Sequence, residues 1–122
     1  MISSHITQSG VVINSIEATE TADDIIDYIA THVNSWTDSH ILWDMTPFDF
    51  LTLNSQNIRV ALDKLASMNN LHPRVKRAIL VDSDLGFGMM RMLQLLSDGV
   101  LSVEINVFKD QDLALKWLNR EV

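Results

Sequence analysis

The sequence predicts an α/β fold: a mixed, mostly parallel sheet of four to five strands with about four helices. Three observations lead there. Short apolar, β-branched runs alternate with helix-period segments along the 122 residues, in the order β-α-β-α-β-α-β-α. Residues 77–96, RAILVDSDLGFGMMRMLQLL, run from an apolar strand through a small acidic loop into a helix, as a buried parallel strand feeding a helix does. Only two prolines and four glycines accompany 47% hydrophobic residues, a composition that forms a core rather than a disordered chain.

The elements follow in order. Residues 10–16, GVVINSI, read as a strand, with a short pairing strand before it around residues 2–7. Thr21 is the N-cap of the first helix, and Asp24 three residues later completes an Asp variant of the capping box. Ala22, Ile25, Ile26, Ile29 and Val33 then share one helix face, opposite Asp23, Asp27 and Thr31. Residues 39–44, SHILWD, form a short strand ending on an acid. The connection 45–53 that follows is apolar for a loop, carrying Phe48, Phe50, Leu51 and Leu53 beside Trp43. Left in water these side chains would form an exposed patch, so they line a small pocket at the carboxyl end of the sheet or fold under as a satellite cluster.

Asn54 or Ser55 caps the second helix, in which Ile58, Ala61, Leu62, Leu65 and Met68 repeat at helical spacing, and Pro73 closes the connection after it. The third strand covers residues 75–82 and the third helix residues 85–98, with Gly99 placed as its C′ residue. Residues 103–108 are the fourth strand of the alternation. Asp110 caps a last helix with Leu113, Ala114, Trp117 and Leu118 inward. The expectation is a single domain over residues 1–122.

Composition excludes several function classes. Nine Lys and Arg against sixteen Asp and Glu leave a formal charge of −7, which opposes binding to a phosphate backbone; no nucleic-acid partner is expected. The only basic cluster, Arg74, Lys76 and Arg77, reads as a solvated strand entrance. With no cysteine, disulfides, thiolate metal sites and cysteine nucleophiles are excluded. His5, His32, His40 and His72 have no metal-ligand spacing, and no serine stands in a nucleophile elbow. No cofactor and no catalytic residue is expected. Without an apolar run of ~20 residues the chain is not transmembrane, and without a visible secretory signal the expectation is a cytoplasmic protein.

Two sets of residues stand out. Asp44 and Asp82 both fall at the carboxyl ends of predicted strands; if those strands are neighbours, the two acids share one rim, where paired acids can divide acid and base roles or hold a cation. The plainer account is that each orients its loop and caps the next helix. Ser83, Gly86 and Gly88 can offer backbone donors to an anion at a helix N-terminus, but Arg91 occupies the place of a third glycine and no G-K-[ST] follows. Tight turning and close helix packing explain those glycines more simply. With Phe48, these residues (Asp44, Asp82, Ser83 and Gly86) make the candidate ligand rim.

The second set is on the third helix. At about 100° per residue, Leu85, Met89, Met92, Leu93 and Leu96 share a broad face, while Phe87 and Met90 project into the opposite sector beside Arg91. Phe87, Met90 and Arg91 are therefore candidate interface residues, unless a neighbouring loop covers them.

The strand RAILVDSD with its GFGM-R-M helix, the earlier ILWDM, and the tail Val107-Phe108, Asp110, Ala114-Leu115 and Trp117-Leu118 together resemble the SpoIIAA-like family. Its members are often described as STAS/SEC14 domain-containing proteins. The resemblance covers the C-terminal half, and the order of elements in the N-terminal half agrees. It implies a four-turn SpoIIAA/STAS-like β-α superhelix and a function that is generally unassigned. STAS relatives include anti-sigma-factor antagonists switched by phosphorylation of a serine in an Asp-Ser motif. That motif follows the strand equivalent to residues 41–44, where this chain has Met45-Thr46-Pro47; Asp82-Ser83 lies one β-α unit later, so the switch does not carry over. The SEC14 likeness implies an apolar ligand, although the elements that build a large lipid pocket are missing here.

The expected function is a small non-enzymatic STAS-like regulatory or protein-interaction domain, self-associating as a dimer and open to a protein partner. The alternative is a binding protein for a small apolar or anionic ligand at the carboxyl-end rim.

Overall fold

The structure, a computed structural model, describes residues 1–36, 38–67, 75–101 and 103–119. Met68, His72, Pro73 and Arg74, singled out above, lie outside the described residues. Five strands form one sheet: β1 (Ser3–Ile6), β2 (Val12–Ser15), β3 (Ile41–Asp44), β4 (Lys76–Leu80) and β5 (Glu104–Phe108). Their spatial order is their chain order, with β1 antiparallel to β2 and every later pairing parallel. The expected mixed, mostly parallel sheet is the one found.

Four helices accompany it: α1 (Ala22–His32), α2 (Ser55–Ser67), α3 (Asp84–Ser97) and α4 (Gln111–Asn119). Register sorts the strand residues onto two faces. Trp43, Ile79 and Val107 stand side by side on one, under α1, α2 and α3. Ile13, Leu42 and Ala78 stand on the other, under Ala114 and Leu118 of α4. Helices linking adjacent parallel strands share one hand and therefore one face. α4 follows the last strand, is no crossover, and is free to cover the opposite face.

Local chemistry sets the helix ends. Thr21 and Asp24 make the expected capping box, each side chain accepting from the other's backbone N–H at 3.1 and 2.9 Å. Asn54 and Asn57 make the same reciprocal pair at the start of α2, so Asn54 is the cap. Asp110 Oδ1 accepts from Asp112 and Leu113 ahead of α4. Gly99 follows α3 at φ +79°, a left-handed conformation that costs a glycine nothing.

Two faces differ from expectation. The inner side of α3 is Gly86, Met90 and Ser97, all buried, whereas Leu85 and Leu95 are exposed. Met89 and Leu93 of the expected face do pack against the core, but the most buried line runs beside them through Gly86, Met90 and Ser97, where the small residues allow close approach. In α4, Leu113 is exposed, because Ala114 and Leu118 form the buried stripe.

Candidate functional site: an apolar cavity over the sheet

Between the sheet and the three helices on its first face lies a cavity of about 160 Å³. Its floor is Trp43, Arg77, Ile79 and Ile105 from β3, β4 and β5. Ala22, Ile25, Ile26 and Ile29 of α1, Ile58, Ala61 and Leu65 of α2, and Met90 and Leu93 of α3 form the walls. The amphipathic spacing of α1 and α2 aims these side chains at the sheet. Met45, Phe48 and Leu53 from the 45–53 connection close one end, and Trp36 and Val33, from the short 3₁₀ turn Val33–Trp36, stand at the other.

Aromatic contacts stiffen the walls. Trp36 meets Trp43 edge to face with ring centroids 5.8 Å apart, and Tyr28 lies 6.4 Å from Trp43 in the same orientation. Phe48 packs edge to face on Phe50 at 5.0 Å. Phe50 in turn bears on Gly86, the glycine at the first turn of α3.

Among the described residues of this apolar lining Arg77 is the one ionisable group. It is 7% exposed, against the expectation of a solvated strand entrance; Lys76 is buried as well, on the other face of the strand. An alternating strand sends Arg77 to the same side as Ile79 and Val81, and that side lies under α1, α2 and α3. The guanidinium donates to three backbone carbonyls: from Nη1 to Ser39 at 2.5 Å and Lys76 at 3.1 Å, and from Nη2 to Trp36 at 3.4 Å. Burial pushes its pKa down to about 10, so it is still a cation at neutral pH. Among the described residues no carboxylate pairs with it. Lys76 points its Nζ at the Trp117 carbonyl, 3.1 Å away, and over the Trp117 ring.

The residues expected at a ligand rim do other work. Asp44 Oδ1 accepts from the backbone N–H and the hydroxyl of Thr46 at 3.1 and 2.8 Å, which fixes the turn after β3. Ser83 caps α3 by accepting from Gly86 N–H at 3.0 Å, and Asp82 is exposed beside it. Phe48 alone of the five lines the cavity.

The candidate interface residues separate. Met90 is 4% exposed and lines the cavity, which corrects the expectation that it projects outward. Its turn of α3 was placed outside because the true inner spine runs through Gly86. Phe87 is half-buried against the core, with Lys109 Nζ 5.7 Å above its ring. Arg91 reaches along the helix to Gln94 Oε1 at 2.9 Å.

A family model for SpoIIAA-like proteins matches residues 11–119. The chain belongs to the SpoIIAA-like family. No curated protein and no solved structure matches it. The matched span of this SpoIIAA-like chain takes in β2 to β5 and all four helices, hence every residue lining the cavity. No helix among the described residues is long and apolar enough to cross a membrane.

Sequence reasoning missed Arg77. The signal for it was its parity: two residues before Ile79 and four before Val81 in a strand buried on both faces. The apolar 45–53 connection did signal a pocket, and Trp43, Phe48 and Leu53 of that reading line the cavity; its extent over the sheet face was not legible, since the other walls come from many separate elements.

Proposed function

We propose that this SpoIIAA-like chain is a non-enzymatic, STAS-type binding domain that takes a small apolar molecule between its sheet and helices α1 to α3. The observation that carries the reading is the cavity of about 160 Å³ with its nearly unbroken apolar lining. A void of ~150 Å³ walled by aliphatic and aromatic side chains stays dry and admits a benzene-sized molecule. Apolar walls left unfilled lack packing partners, which is a cost to stability. A ligand that fills the cavity recovers that loss, which couples occupancy to the packing of three helices. Such coupling is what a regulatory domain needs to pass binding on to a partner.

The site differs from the rim first expected, because it sits over the face of the sheet. The cysteine-free composition suits a cytoplasmic domain. The proposed self-association rests on Phe87 and Arg91 without Met90.

Two measurements test the proposal. Native mass spectrometry of protein purified under mild conditions is expected to show a small apolar adduct. Toluene and indole are expected to raise the melting temperature and to change the fluorescence of Trp36 and Trp43. No adduct together with no shift from either compound sinks the reading.

A further inference from the structure

A buried cation without a counter-ion is an incomplete arrangement. Moving a charge out of water is costly unless partners replace the water. The Arg77 guanidinium is only partly served. Of its five N–H donors, both on Nη1 are used, and Nη2 makes one long contact at 3.4 Å. Nε–H and the second Nη2–H meet no acceptor among the described residues. Nε and Nη2 flank one edge of the planar fork, the edge that grips a carboxylate with two parallel bonds.

The surroundings of Arg77 narrow the choice of ligand. Ile79 lies on the same face of β4, and Trp43, its register partner on β3, stands beside it. Both line the cavity with Arg77. A ligand filling the space therefore meets hydrocarbon over most of its surface and one cation at the strand entrance. The volume favours a compact body, about the size of a benzene ring or a short branched chain.

We infer that the cavity takes a compact apolar carboxylic acid, with its carboxylate on the guanidinium of Arg77 and its hydrocarbon body against Trp43 and Ile79. This rests on the apolar-cavity reading and adds the chemical class of the ligand. The carboxylate supplies the missing counter-charge, so binding both fills the void and neutralises the buried cation. A neutral molecule of the same shape does only the first.

Phenylacetate and phenylacetamide are matched probes, alike in shape and different in charge at pH 7. Titration of the full chain with each, followed by calorimetry and by Trp36 and Trp43 fluorescence, is expected to give at least about tenfold tighter binding of the carboxylate, the gain of a buried charge-assisted pair. In Arg77→Met the preference is expected to vanish while amide binding persists; in Arg77→Lys part of it is expected to remain. Equal binding of the two probes to the unaltered protein overturns the carboxylate assignment and leaves the apolar cavity standing, and that comparison decides even where Arg77→Met fails to fold. Binding of neither probe removes the cavity reading, and this inference with it.

Discussion

The Cβ that Gly86 lacks would lie 2.7 Å from Cε2 of Phe50 and 2.9 Å from its Cδ2. Atoms of a real side chain do not come so close, and Phe50 is a buried ring with little room to retreat. The glycine is thus required by the approach of α3 to the 45–53 connection, whatever its backbone freedom. Gly86→Ala is expected to destabilise by about 1–3 kcal/mol, as overpacked cores do, measured by urea unfolding. Phe50→Leu in the same chain relieves the clash, so the double variant is expected to lose less than the sum of the singles.

Met90 and Phe87 give opposite expectations for one chemical change. Met90 is buried at the cavity wall, so Met90→Asp places an unpaired carboxylate in hydrocarbon and is expected to cost at least about 3 kcal/mol or prevent folding. Phe87→Asp, at a half-buried position beside Lys109, is expected to cost clearly less. Comparable losses in thermal melts would mean that the inner side of α3 has been assigned wrongly. Light scattering on Phe87→Asp also reads its effect on self-association.

Much of the fold was legible because it rests on local rules. The Thr21–Asp24 box, the Asp110 cap and the apolar run 78–81 each follow from neighbouring residues, and parallel alternation follows from their order. The face of α3 was not legible, because a wheel counts hydrophobicity whereas Gly86 acts through size against a ring in another element. Arg77 was misread for a related reason. Charge at a strand start suggests solvent, yet burial there is decided by helices far away in sequence. Asp44 was readable as the residue that fixes its loop, and the structure uses it so; Asp82 was read as the cap of the next helix, a role that Ser83 fills instead.

Asn14 is 0% exposed, and among the described residues neither its side-chain nitrogen nor its oxygen has a hydrogen-bond partner. It sits in β2 in register with Trp43, on the face under α1, α2 and α3. An unsatisfied buried amide costs about 1–3 kcal/mol, and a β-branched apolar residue fits a buried strand better. Asn14→Val is therefore expected to raise the unfolding midpoint without altering the far-ultraviolet dichroism. A drop in stability would show that the amide does bond in solution.

His40 ties stability to pH. Partial burial first, then the charges of Lys76 and Arg77, hold its pKa below the ordinary histidine value of 6.5. Its Nδ1 also stands 3.0 Å from the backbone N–H of Lys76, which a neutral ring accepts and a protonated one does not. The unfolded chain therefore binds a proton more readily than the folded one. The contribution is fully present above about pH 6.5 and is lost as pH falls below it toward the lower folded value. Since much of the ring reaches solvent, the effect is modest. Urea midpoints between pH 8 and pH 5 are expected to decline less in His40→Asn than in the unaltered chain; parallel declines would exclude His40 as the source.

Ala61 offers a way to separate the cavity from everything around it. It lines the space from α2, where a larger apolar side chain has room to grow into the void rather than into a neighbour. Leucine is nearly as good a helix former as alanine, so Ala61→Leu changes little but the volume left empty. Filling a cavity in this way commonly adds about 0.5–2 kcal/mol. The variant is expected to melt higher than the parent and to bind toluene and phenylacetate at least about tenfold more weakly. If the space is occupied in solution by inward movement of α2, the added atoms meet packed side chains and the sign reverses: stability falls. Unchanged affinity in a stabilised variant would place the ligand elsewhere, since the same methyl groups cannot both fill the void and leave it free.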